Sequence, residues 1–268
     1  MDIGKSFSYI FEDPRWTSKI AIGTLIMIVS SLLSPVLVGI LGYLVLAGYA
    51  LEVLRNVRNG EKYPMPEWQD RWGEWLTLGA KGAAAMLVWA LPLLVVAVPM
   101  TIGFALMDNN DGSMIGNLVA LCFGGLATLW GIVFLLVSPA ISIRVAETEE
   151  IASAIRFGDI LSFTRQHIGE VIVASLVYLV GSIIISLVAG LLGVILCLVG
   201  VIITAPAGQW ITMLVQAHLY AQVGRNDKAW SDSTALDEYV TPVSKPATVE
   251  TPDGAVSISI DPPTDIVN

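Results

Sequence analysis

Residues Val171–Val223 read VIVASLVYLV GSIIISLVAG LLGVILCLVG VIITAPAGQW ITMLVQAHLY AQV, a run with no Asp, Glu, Lys or Arg. As one helix it would be about 80 Å long at ~1.5 Å per residue, far beyond the ~30 Å hydrocarbon core of a bilayer. The run must therefore fold back on itself. Backbone groups in hydrocarbon find no water, so such a run forms helix or part of a closed barrel, and unbroken Leu, Val, Ile, Ala and Gly without alternation select helix. Glycines at 190, 193 and 200 interrupt the bulky sequence, which places the reversal between Gly190 and Gly200.

Three further blocks, Ile20–Leu51, Gly82–Met107 and Ser113–Ile143, also hold no charge. All 14 Lys and Arg residues fall in the four stretches 1–19, 52–81, 144–170 and 224–268. The composition is 55% hydrophobic and 14% charged, against roughly 25% charged in a soluble domain. The pattern predicts an all-α integral membrane protein, a bundle of about six transmembrane helices. Basic loops stay on the cytoplasmic side, so the charge placement predicts a cell-membrane protein with both termini cytoplasmic and the turns at 108–112 and 190–200 external. In the first block Ser30, Ser31, Ser34 and Pro35 break the helix. Its first limb, Ile20–Leu33, is short for a crossing, so this pair either crosses twice or is re-entrant. No signal peptide is expected, because the apolar run starts late and lacks a small-residue cleavage pattern.

Two cytoplasmic segments read as amphipathic helices. Trp68, Trp72 and Trp75 are spaced i, i+4, i+7, which predicts a helix starting at Pro66 or Glu67 with three indoles on one face as interfacial anchors. Glu147–Glu170 reads as the second, with Thr148 as cap, Glu149 and Glu150 in the first turn, and Ile151, Ile155, Phe157, Ile160, Leu161 and Ile168 as its buried side. Arg156, Arg165 and His167 suit headgroup contact, His167 as a solvated surface residue.

Within the last apolar block Gln209, Thr212, Gln216 and Tyr220 share one face and form the candidate intramembrane polar stripe. Ala205 and Gly208 extend it. The stripe reads either as interhelical hydrogen bonding or as a wet conduit. His218 points away and is expected to snorkel. Ser182, Ser186 and Gly190 repeat every four residues and predict a close helix contact. Pro92, Pro99 and Pro139 are expected to bend their helices. Cys122 and Cys197 sit in apolar blocks and imply neither a disulfide framework nor a metal site. The signatures G-x-S-x-G, G-x-x-x-x-G-K-[ST], H-E-x-x-H and C-x-x-C do not occur. The chain is therefore expected not to be an enzyme, with no catalytic, cofactor-binding or metal residues.

Residues 226–268 carry eight acidic and two basic side chains, a net −6, with five prolines. They are expected to form a disordered acidic cytoplasmic tail beyond a helical membrane domain at 1–225.

Gly48-Tyr49, Arg55–Gly60, Pro66-Glu67-Trp68-Gln69-Asp70-Arg71-Trp72, Gly79 and Phe157-Gly158-Asp159-Ile160 together resemble the prokaryotic membrane family called domain of unknown function 4013, over roughly residues 5–223. Met65 stands where that family usually has leucine. The resemblance implies a multi-pass helical protein and carries no activity. The leading functional expectation is a non-enzymatic membrane scaffold that organises partners or lipids. The alternative is a small-solute transporter or channel using the Gln209 stripe. Expected partners are the lipid bilayer and either a membrane protein or a second copy of the chain, and not nucleic acid.

Overall fold

The computed structural model describes residues 1–69, 71–107, 113–196 and 200–225. The expected turn at 108–112 and the tail at 226–268 lie outside them. The described residues hold α1 (Ile3–Glu12), α2 (Trp16–Leu33), a 3-10 turn (Ser34–Val36), α3 (Gly39–Arg58), α4 (Trp72–Met107), α5 (Ser113–Thr148), α6 (Ile151–Ala154), α7 (Phe157–Gln166), α8 (Ile168–Ile195) and α9 (Val201–Ala221), and no strand. Five helical stretches, Trp16–Val36, Gly39–Arg58, Trp72–Met107, Met114–Thr148 and Ile168–Ile195, are long and apolar enough to cross a membrane. The chain is a membrane protein whose described residues form helices and no strand. α9 is 21 residues long but is not among the five, and it carries Gln209, Gln216 and His218.

The first block reverses where Ser34 and Pro35 stand, with Leu37 in the left-handed region at φ 62° and its N–H donating to the Ser34 carbonyl at 3.0 Å. Its first limb starts at Trp16, ahead of the apolar block, so α2 has 18 residues. It can do so because Lys19 is held in ion pairs and is only 3% exposed.

The helices converge at one end, the charged end, where α2, α4 and α8 start and α3, α5 and α9 finish. Every residue of α5 from Val137 to Ala146 is buried, whereas between Met114 and Leu136 only Gly116 is. α4 behaves alike: beyond Trp89 only Gly103 is buried. The far halves of α4 and α5 thus lean on each other, at Gly103 and Gly116, and little else. At the charged end α3 and α4 touch backbone to backbone. A Cβ on Gly48 would run into the Trp75 carbonyl and one on Gly79 into the Leu44 carbonyl, so only glycine permits this approach.

Three local expectations are corrected. No helix starts at Pro66 or Glu67; helix begins at Trp72. The preceding carbonyls are taken by side chains from elsewhere: Asn56 Nδ2 donates to Pro64 O at 2.9 Å, Lys19 Nζ to Met65 O at 2.7 Å and the Tyr49 hydroxyl to Pro66 O at 2.8 Å. Glu147–Glu170 is not one helix either. α5 runs through Thr148, Glu149 turns the chain at φ 54°, and two short helices precede α8. Thr148 ends α5, its hydroxyl donating to Arg144 O at 2.8 Å and accepting the Glu150 N–H at 3.2 Å. Finally, α8 meets its neighbours one residue away from the Ser182, Ser186, Gly190 face. Gly181, Ala189 and Gly193 are buried; a Cβ on Gly208 would lie 2.9 Å from that of Ala189, while one on Gly190 meets open space.

Candidate functional site

The Gly-Tyr step and the Pro-Glu-Trp loop meet at the charged end in one continuous lock. Lys19 Nζ has three oxygen partners: Asp13 Oδ2 at 2.7 Å, Met65 O at 2.7 Å and Glu67 Oε1 at 2.8 Å. Asp13 is as deeply buried as Lys19, and Arg15 also reaches Glu67 at 2.9 Å. Burial of a charge is tolerated only when it is paired and hydrogen-bonded, a condition this arrangement meets.

The indoles are built into the same lock. Trp68 stacks on Tyr49 with ring centres 4.4 Å apart, and its Nε1 donates to Lys19 O at 3.2 Å. Trp68 lies 5.2 Å from both Trp72 and Trp75, and Trp210 of α9 closes on Tyr49 at 5.4 Å. Trp75 is 1% exposed and donates to Glu52, which also accepts from Arg71. Glu52 is itself 5% exposed. Hydrogen bonds to Glu52 and then Glu74 hold the Arg71 guanidinium above its ordinary pKa. The three predicted anchors therefore come together, with Trp75 inside the protein and Trp72 exposed.

Beside this lock runs a seam of ion pairs. Arg55 meets Glu149 and Arg58 meets Glu147, each at 2.6 Å. Arg58 also donates to Val223 O at 2.9 Å, satisfying a carbonyl beyond the end of α9, and Glu170 accepts the Gly224 N–H at 2.7 Å. α1 closes the end from the other side: Tyr9 donates to Leu214 O at 2.9 Å, and burial pushes its phenol well above the ordinary range, keeping it a donor. His218 does not snorkel. It is buried, stacked on Tyr9 at 4.5 Å and bonded to Ser6 Oγ at 2.9 Å. His167 is half-buried, with Nδ1 3.1 Å from Phe163 O.

The polar stripe on α9 is split. Gln209 is exposed, Thr212 is buried and donates to Gly208 O of its own helix at 2.8 Å, and Gln216 and Tyr220 bond each other at 3.0 Å. Tyr220 continues to Ser138 of α5 at 2.9 Å. Gln216 and Tyr220 border a cavity of about 200 Å³ between α3, α4, α5 and α9.

Asp13, Lys19, Glu52 and Arg144 are all buried charges that lie outside the four apolar blocks. Lys19 and Glu52 flank the first apolar block and Arg144 follows the third, positions where a charge reads as the end of a helix. The signal that could have found them was helical phase: Glu52 lies one turn beyond Gly48 and Tyr49.

No curated protein and no solved structure matches the chain. A family model does, over residues 29–198, which hold the α2–α3 reversal, Gly48-Tyr49, the Pro-Glu-Trp loop and α4 to α8. That match covers more than half of the sequence, and the chain belongs to the family described as protein of unknown function (DUF4013).

Proposed function

We propose that this is a multi-pass protein of a prokaryotic cell membrane that acts as a non-enzymatic scaffold, its charged end cytoplasmic and presented to partners or lipid headgroups. In this reading α2, α3, α4, α5, α8 and α9 make six crossings, and both termini lie inside. The distribution of Lys and Arg supports that orientation, because all 14 lie outside the apolar blocks and short basic segments remain cytoplasmic. α7 fits a helix lying at the inner surface: Ile160 and Phe163 are buried while Phe157 and Leu161 are exposed beside Arg165. A cysteine placed at Asn110 is expected to react with an impermeant thiol reagent in intact cells. Reaction only after lysis would reverse the orientation.

The observation that carries scaffold over transporter is how α9 uses its polar groups. A conduit needs side chains that exchange bonds with water along a path. Here Thr212 is bonded to its own helix and Tyr220 to Ser138 and Gln216, while Gln209 is exposed, so bonds within the protein interrupt the stripe at Thr212 and Tyr220. In proteoliposomes the protein is expected to give no flux of small uncharged solutes above the lipid background. Saturable flux that disappears in Gln216→Leu would establish the transporter instead.

A further inference from the structure

The cavity among α3, α4, α5 and α9 exists because small residues face it from three helices: Ala47 and Ala50 of α3, Gly82 and Ala83 of α4, and Ala217 of α9. It is a half-open pocket of about 200 Å³, with Ala83 exposed at its edge, and most of its lining is apolar. An apolar cavity near 150 Å³ is enough to hold benzene.

One wall is polar, and its hydrogen bonds run in a single direction. Ser138 has one hydroxyl hydrogen and donates it to Leu135 O at 2.8 Å. Tyr220 must then be the donor to Ser138 Oγ, and accepts in turn from Gln216 Nε2 at 3.0 Å. Ser142 donates to Ser138 O at 2.9 Å. Gln216 has two amide hydrogens and a carbonyl, and the bond to Tyr220 uses one hydrogen. Gln216 lines the cavity, and its carbonyl and second hydrogen have no hydrogen-bond partner among the described residues. The relay behind it polarises this amide further.

We propose that this cavity is a binding site for a small neutral hydrophobe of about the size of a single aromatic ring, carrying one hydroxyl that pairs with Gln216. The absence of charge follows from the lining, none of which is ionic; a charged ligand would be desolvated without a counter-charge. The hydroxyl follows from Gln216, which presents an acceptor and a donor side by side. The site is separate from the scaffolding reading, since a protein that moves no solute can still bind one.

The test uses 4-fluorophenol and fluorobenzene as probes, followed by ¹⁹F NMR with the full chain in nanodiscs against empty nanodiscs. 4-Fluorophenol should saturate at one site per chain and be displaced by phenol but not by 4-hydroxybenzoate at neutral pH. Ala83→Leu should fill the space and abolish saturable binding of both probes. Gln216→Leu should weaken 4-fluorophenol roughly three- to tenfold, the worth of one hydrogen bond, and leave fluorobenzene unchanged. Non-saturable partitioning equal to that of empty nanodiscs, or displacement by 4-hydroxybenzoate, would overturn the proposal in the unaltered protein without recourse to any variant. So would unchanged binding in a folded Ala83→Leu protein.

Discussion

Lys19→Met is expected to lower the stability of the folded protein by about 3–5 kcal/mol, because it removes one partner of a buried ion pair and strands the other. Methionine replaces the aliphatic stem with similar volume, so packing is largely kept and the loss is electrostatic. Asp13, 3% exposed, would be left holding a charge with no cation against it, and the Met65 carbonyl would lose its donor. The pair itself need not be strongly stabilising. Bringing both ions out of water costs several kcal/mol each, and their attraction returns that only with good geometry and further hydrogen bonds, which Met65 O and Glu67 supply here. The consequence is a sharp asymmetry. Asp13→Asn added to Lys19→Met should restore most of the stability, since the stranded charge is gone. Reversible unfolding in lipid, by steric trapping or denaturant, reads both. A loss under about 1 kcal/mol for Lys19→Met, or no recovery in the double variant, would show that water reaches this pair and that it is not a lock.

The places where the sequence could and could not be read follow from how far each determinant lies along the chain. The reversals at Ser34-Pro35 and between Gly190 and Gly200 are local: proline removes a donor, and a run too long for the bilayer has to turn somewhere. Both stand in the structure, with α2 and α3 meeting at the 3-10 turn, α8 ending at Ile195 and α9 starting at Val201. The Trp68, Trp72, Trp75 spacing is equally local and equally helical, yet the helix begins only at Trp72. Periodicity ranks a segment by the face it would show if helical; it does not register competitors for its carbonyls. Those competitors were Lys19, Tyr49 and Asn56, drawn from two other helices. The α8 contact face was missed by one residue for a related reason. Ser182, Ser186 and Gly190 satisfy the small-residue rule as well as Gly181, Ala189 and Gly193 do, and only the partner, Gly208 with its neighbours, distinguishes them. On α9 the stripe was legible as a face. Which of its members would be bonded and which exposed depended on Ser138 of α5, which is not visible in α9 itself.

Trp75→Ala is the second large effect, a loss of about 3–5 kcal/mol for the emptied ring alone. The indole is 1% exposed and touches Tyr49, Trp68 and Trp72, so its removal opens a void where α3, α4 and the Pro-Glu-Trp loop meet. The backbone cannot close over that void cheaply, because Gly48 already brings α3 against the Trp75 carbonyl. Its Nε1 also donates to Glu52, a buried carboxylate whose other partner, Arg71, is partly exposed. Trp75→Phe separates the two contributions: most of the ring volume remains, and the lost hydrogen bond to a charged group is worth about 1.5–3 kcal/mol. Trp72 serves as the control, since it sits in the same cluster but is 42% exposed, and Trp72→Ala should cost well under half as much as Trp75→Ala. The same unfolding measurement orders the three variants. If Trp72→Ala proves the most damaging of them, the cluster draws its stability from contact with the bilayer surface, and the interfacial-anchor reading of these tryptophans replaces the internal lock described here.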